Sequence, residues 1–238
     1  MDIADIYHRL GLCYSEIRVW NEGIIAYVKA LNELKLKNKR IKYAECMNNL
    51  GTLYLNAGSI SEAEKCFLMS YSIKSKEYSE HSKKLLSSLF NLYECNIIQR
   101  NYDQAKNILT QLNNIIINIK DNKMLLGGTL RRKGKLYFLK GELEKAEQKF
   151  QEAAERLEKD YQYSLEYGEL LNNMGLLKLD LKYFSAAKDY FERSLEILNF
   201  YYTKDSIPIQ SVKKNIELIE DMMISKRKPI KKAPSCKE

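Results

Sequence analysis

Apolar residues along this chain recur at spacings of three and four, the period of one face of a helix. The pattern comes in blocks. Tyr7, Leu10, Gly11, Tyr14, Gly23, Tyr27 and Ala30 form the first, and Met47, Leu50, Gly51, Tyr54, Ala63, Phe67 and Ser70 the second. Leu89, Leu92, Tyr93, Asn96, Ala105, Leu109 and Leu112 form the third. Leu130, Lys133, Gly134, Tyr137, Ala146, Phe150 and Ala153 form the fourth, and Leu171, Met174, Gly175, Lys178, Ala187, Phe191 and Ser194 the fifth. Within every block the offsets are 3, 1, 3, 9, 4 and 3 residues, and the blocks follow one another at 40, 42, 41 and 41 residues.

A fixed period is the signature of a repeat architecture. The first four positions of a block fall on one helix and the last three on a second. Gly11, Gly51, Gly134 and Gly175 let the first helix approach its partner closely, and the aromatic or leucine at the sixth position fills the gap between repeats. Between the two helices lie turn residues, Ala57-Gly58-Ser59, Arg100-Asn101 and Lys140-Gly141-Glu142. Each block therefore predicts a helical hairpin that cannot bury its apolar face alone.

This pattern resembles the tetratricopeptide repeat (TPR) over Ala4 to about Leu198. The clearest matches are Asn49-Leu50-Gly51 with Tyr54, Ala63 and Phe67, and Gly134 with Tyr137, Gly141, Ala146, Phe150 and Ala153. The resemblance implies an all-α, right-handed α-solenoid of five TPR-like helical hairpins with a C-terminal capping helix. The repeats are expected at about 4–43, 44–85, 86–126, 127–167 and 168–203. Two blocks depart from the family pattern and predict local irregularity: Tyr93 stands where glycine is preferred, and Lys178 where an aromatic is usual. The period exceeds the common 34 residues, which implies longer helices and extended connections at Lys35–Lys42 and Ser72–Ser79. After Leu198 the pattern stops. Ile209 to Ile224 then reads as an amphipathic helix with Val212, Ile216, Ile219 and Met223 on one face, suited to cover the last repeat.

Composition fits helices and adds a tail. The three prolines are Pro208, Pro229 and Pro234, so about two hundred residues run without a helix breaker. The net charge of +8 is uneven: Lys226 to Glu238 holds six basic residues and one acidic, leaving 33 basic and 30 acidic over the first 225. Residues 225–238 are thus expected to be a basic disordered tail. The nearly balanced body argues against direct nucleic-acid binding. No run approaches the roughly 18 apolar residues of a membrane span, and the N-terminus has no signal-peptide pattern, so a cytoplasmic location without membrane association is the expectation.

Catalytic and metal chemistry find no constellation. Cys13, Cys46, Cys66, Cys95 and Cys236 form no CxxC pair, and His8 and His81 lie in separate repeats. Gly127-Gly128 is not followed by a phosphate-loop signature. No enzyme activity, cofactor or metal site is expected.

Binding chemistry is more legible. If Tyr7, Leu10, Gly11 and Tyr14 face the second helix of their hairpin, the opposite face is fixed by helical spacing. It carries His8 in the first repeat, Asn48 and Thr52 in the second, Arg131 and Lys135 in the fourth and Asn172 in the fifth, with Asn49, Asn91, Arg132 and Asn173 one residue further round. An asparagine amide offers a donor and an acceptor, matching the backbone of an extended peptide. Arginine pairs bidentately with carboxylates. A scaffold role for Asn49, Asn91 and Asn173, and a solvated charged face around Arg131, remain open alternatives.

The long period and the paired asparagines are also similar to the TPR domains of bacterial peptide-pheromone receptors, the Rap, NprR, PlcR and PrgX group. That resemblance implies a short peptide bound by asparagines at Asn48, Asn49, Asn91, Asn172 and Asn173. The helix-turn-helix domain and the N-terminal helical bundle found in that group have no counterpart here. The expected partner is a short peptide or an extended protein segment, acidic or ending in a free carboxylate. The alternative is a structural adaptor that docks a protein partner, and a homodimer stays open.

Overall fold

The structure, a computed structural model, describes residues 2–227. It contains eleven α-helices and no strand among the described residues. The described residues divide into two compact units, the boundary falling between Asn122 and Lys123.

The first unit holds three hairpins. They pair α1 (Ile3–Glu16) with α2 (Trp20–Leu36), α3 (Arg40–Asn56) with α4 (Ile60–Glu77), and α5 (Leu86–Ile98) with α6 (Tyr102–Ile116). A 3₁₀ turn, Lys83–Leu85, precedes α5 and is capped by Ser82, whose hydroxyl accepts from the Lys84 amide. The second unit holds α7 (Lys123–Leu139) with α8 (Leu143–Tyr161), α9 (Leu165–Asp180) with α10 (Phe184–Leu198), and the final helix α11 (Ile207–Arg227). Residues 228–238, most of the expected basic tail, lie outside the described residues.

The glycine that four of the five blocks carry is explained by contact. A Cβ at Gly51 would lie 2.6 Å from the Phe67 ring, and one at Gly134 2.5 Å from the Phe150 ring; Gly11 against Tyr27 and Gly175 against Phe191 repeat the arrangement. Those aromatics are fully buried, each worth roughly 1.5–3 kcal/mol in apolar burial. The third block solves the same packing problem differently. Tyr93 occupies the glycine position and is buried, while the aromatic's position holds the smaller Leu109. The α5 and α6 backbones accordingly approach less closely than those of the other hairpins. The fifth block is regular: Lys178 directs its ammonium over the Tyr183 ring, 5.6 Å from the centroid.

Every hairpin turns in the same way. Arg18, Gly58, Arg100, Gly141 and Lys182 adopt positive φ between 60° and 82°. In each turn the following amide reaches back to a carbonyl five residues earlier, as Ser59 N does to Tyr54 O at 2.9 Å and Asn101 N to Asn96 O at 2.8 Å. This is the left-handed C-terminal motif that closes a helix by satisfying its last carbonyls.

Two sequence expectations are corrected here. The extra residues of the long period lie mainly in the helices: α2 runs to Leu36 and α3 starts at Arg40, so Lys35–Lys42 is no extended connection, and α4 continues to Glu77. Leu10 does not face the second helix either. It is 40% exposed, as are its helical neighbours Ile3, Ile6 and Ile17 to 54%, 44% and 66%, while its counterparts Leu50 and Leu92 are buried.

At the other end α11 lays Ile209, Val212 and Ile219 against Ala187, Phe191 and Leu198, with Ile216 and Met223 at the margin. This is the face anticipated from the helical spacing, one turn longer at the N-terminus.

Candidate functional site

In the first unit the expected residues come together in two pairs. Asn49 Nδ2 on α3 lies 2.7 Å from His8 Nε2 on α1. Burial lowers the His8 pKa below its ordinary value, against the opposing pull of Glu45 and Asp5, so the neutral ring accepts at Nε2. Asn48 Oδ1, also on α3, accepts from Ser88 Oγ at 3.2 Å and from Asn91 Nδ2 at 3.4 Å, both on α5. Both lone pairs of that oxygen are then used, and the Asn48 amide nitrogen makes no hydrogen bond to the described residues. Thr52, exposed on α3, returns its hydroxyl to Asn48 O at 3.1 Å.

The Asn48 cluster continues through Ser70 of the second block to Lys74, which the sequence did not single out. Ser70 Oγ lies 3.1 Å from Ser88 Oγ, and Lys74 Nζ donates to Ser87 Oγ at 3.2 Å and Ser88 Oγ at 3.4 Å. Lys74 is only 5% exposed. A signal for it existed. Counting by the repeat, Lys74 stands where the other second helices carry Leu34, Ile116, Leu157 and Leu198, all buried. A lysine in that series breaks the apolar pattern at one place.

The second unit differs from expectation. Arg131 and Lys135 were expected as a free cationic pair for a ligand carboxylate, with Arg132 beside them. Arg131 is instead 4% exposed, and its fork is filled by the chain itself. Nε lies 3.0 Å and Nη2 2.9 Å from Glu166 Oε2, and Nη2 also meets Glu169 Oε2 at 2.6 Å. Arg132 Nη1 holds Glu166 Oε1 at 3.1 Å and the Gly128 carbonyl at 3.1 Å. A side chain at Gly128 would collide with Glu166, so that glycine makes room for the network. Burial pushes the Glu166 carboxyl up, but the two arginine charges outweigh it and hold it below its ordinary value. Lys135 is half-buried on α7.

Asn172 and Asn173 on α9 are half-buried. Asn172 Oδ1 and Asn173 Nδ2 are shielded from solvent with no hydrogen-bond partner among the described residues. Such atoms cost about 1–3 kcal/mol each when left unsatisfied.

Nucleophilic chemistry is poorly served. Cys46, Cys66 and Cys95 are buried free thiols, and burial pushes them up to about 12, 11 and 12 respectively. No group of three or more His, Cys, Asp or Glu able to hold a metal ion occurs among the described residues. No helix among them is long and apolar enough to cross a membrane.

Comparison with known proteins agrees with the repeat. The tetratricopeptide-repeat profile matches residues 44–80 and, in a second form, 125–199. No curated protein matches the chain in sequence. Among solved structures, the apo form of RapI is similar at 19% identity and a TM-score of 0.70, with 94% of this chain and 85% of that one covered. NprR in complex with its cognate peptide NprX is similar at 14% identity and 0.66, covering 94% and 68%. BtubC (BKLC) from P. vanneervenii is similar at 16% identity and 0.61, covering 86% and 84%. At these identities the likeness is one of fold.

Proposed function

We propose, for a chain built of tetratricopeptide repeats, that each unit binds an extended peptide segment on the first-helix faces of its own hairpins and that the chain performs no catalysis itself. One observation carries the reading. Asn48 has its oxygen anchored by Ser88 and Asn91, which fixes the orientation of its amide and leaves two N–H donors unused. A donor held in place by its neighbours loses little entropy on binding a backbone carbonyl. The shielded, unpartnered amide atoms of Asn172 and Asn173 favour the same use in the second unit, since a rotated amide would meet a ligand with both its donor and its acceptor. In this reading the chain is cytoplasmic and serves as the sensing part of a peptide-responsive regulator. The fold likeness to NprR, solved with a peptide, supports it.

A second reading, a structural adaptor, draws on the exposed stripe of Ile3, Ile6 and Leu10 along α1, continued by Ile17 just past its C-terminal end. The corresponding face of α3 packs on α2, so the α1 face would accept an amphipathic helix of a protein partner.

The experiment is capture of peptides from a degenerate pool of N-acetylated octapeptides by the whole chain, read by mass spectrometry. Wild type should retain a subset. Asn48→Ala should weaken those peptides by about 2- to 10-fold whatever their sequence, the worth of one hydrogen bond. A folded wild type that retains nothing sinks the peptide reading and leaves the adaptor.

A further inference from the structure

Lys74 is a buried ammonium without a close ion-pair partner among the described residues. It is 5% exposed, it donates only to the hydroxyls of Ser87 and Ser88, and no carboxylate among the described residues forms an ion pair with it. Other lysines of the same unit behave differently: Lys39 and Lys42 are exposed, and each holds an aspartate, Asp2 and Asp5. A buried charge costs several kcal/mol unless it is paired. The repeat frame makes the cost avoidable, because leucine or isoleucine fills this place in the other four hairpins. Lysine here therefore does something that packing does not require.

The surroundings are arranged for an anion. Ser88 donates its single proton to Asn48 Oδ1, so it can face Lys74 and Ser70 only as an acceptor. Donor capacity is left over in the cluster at the Asn48 amide, the Lys74 ammonium and the Ser87 hydroxyl. Ser87 is exposed, so the ammonium lies just below the surface. Of the charged groups that act on it, Glu45 on α3 favours the charged form and Lys84 opposes it, while burial depresses its pKa most. A ligand carboxylate would supply the close ion pair that Glu45 does not make with Lys74.

We propose that Lys74, Ser87 and the Asn48 amide form a carboxylate-binding subsite in the first unit, which receives an acidic group of the bound peptide. The proposal rests on the peptide-binding reading and specifies which group of the peptide is held and where. Two sources share the chemistry, a free C-terminus and an aspartate or glutamate side chain.

The test uses the whole chain and four degenerate pools of N-acetylated octapeptides: C-terminal acid, C-terminal amide, amide with one fixed Glu, and amide with Gln at the same place. Wild type should prefer the acid pool over the amide pool, or the Glu pool over the Gln pool, by about 10- to 100-fold, as charge-assisted hydrogen bonds imply. Whichever preference occurs names the source. Lys74→Met should abolish it, and its melting temperature should be unchanged or higher, because a misplaced charge has been removed. Asn48→Asp, which sets a carboxylate one hydroxyl away from the ammonium, should also abolish the preference by occupying the subsite from within. Retention of all pools alike by wild type, or a preference that survives in Lys74→Met, overturns the subsite while leaving peptide binding standing. No retention of any pool overturns both. A Lys74→Met chain that unfolds several degrees earlier shows a structural lysine and also overturns the proposal.

Discussion

Arg131 Nη2 lies 2.6 Å from Glu169 Oε2, an ion pair from α7 to α9 whose arginine side chain is 5% exposed. With Glu166 on the same fork, the guanidinium is a tie between two hairpins of the second unit. Removing the guanidinium leaves Glu169 without its partner and Glu166 held by Arg132 alone; both carboxylates keep contact with solvent, so the cost falls below the about 3–5 kcal/mol of a fully buried pair. Arg131→Ala should therefore destabilise the chain by about 1–3 kcal/mol, measured as a fall in the urea midpoint. The linkage has a definite sign. Glu166 is held below its ordinary value, so its contribution is complete above the unfolded carboxyl range, near pH 4.5, and is lost as pH falls through the depressed value. Wild type should lose stability below pH 4.5 more steeply than Glu166→Gln. An Arg131→Ala variant as stable as wild type would return Arg131 to the pool of available ligand groups.

The positive-φ turns give a backbone test. Left-handed φ costs a non-glycine residue about 1–2 kcal/mol, partly offset by the chain entropy that glycine loses on folding. Lys182, at φ +64°, should accept glycine with a gain of about 0.5–1 kcal/mol. Gly141→Ala, at φ +77° and with nothing within 4 Å of the new Cβ, should lose about as much. Calorimetry of the two variants decides it. Because the space at Gly141 is empty, a loss there cannot be assigned to packing, and no loss at all would remove strain as the reason for glycine.

The repeat frame was readable because it rests on local rules. Gly51 against Phe67 needs a fixed offset of sixteen residues, and Gly58 closes a turn at a fixed distance from both. The site was only partly readable, and the reason is the same in both units. Helical spacing says which face a side chain occupies but not what its neighbours have already done with it. Spacing put Asn48 and Asn91 on one face, and the structure joins them. Spacing also put Arg131 there, but Glu166, on the first turn of α9, could be matched to it only by knowing how α7 and α9 pack. Lys74 was hidden for the opposite reason: the frame reached only as far as Ser70, one turn short of it.

His8 provides a pH prediction that rests on burial rather than on a salt bridge. Its pKa is lowered by burial, with Glu45 and Asp5 raising it and Lys42 lowering it. The folded chain thus holds the neutral ring, and its Nε2 accepts from Asn49. A depressed folded value means that stability is complete above the unfolded histidine value of about 6.5 and declines as pH falls through 6.5 toward the folded value. His8→Gln should flatten the stability profile between pH 7 and 5. If wild type and variant lose stability in parallel over that range, His8 is protonated as easily folded as unfolded, and the Asn49 contact does not depend on the neutral ring.

The third hairpin tests whether the size exchange at Tyr93 and Leu109 is a coupled pair. Elsewhere the frame pairs glycine with an aromatic, as Gly51 with Phe67; here the large residue has changed sides and both are buried. Tyr93→Gly alone removes a fully buried ring and should cost about 3–5 kcal/mol, plus about 1 kcal/mol for glycine in a helix. Leu109→Phe alone adds volume to a filled site and should cost about 1–3 kcal/mol. The double variant restores the arrangement of the other hairpins, with the phenylalanine free to enter the space the tyrosine left. It should be more stable than Tyr93→Gly by about 1–2 kcal/mol, a coupling of the size seen for residues in contact. Complete recovery is not expected, because the α5 and α6 backbones are set further apart than in the other hairpins. Urea denaturation of the four chains gives the cycle directly. Costs that simply add would mean that the two positions do not share one space, and that the third hairpin departs from the frame for a reason other than exchanged volume.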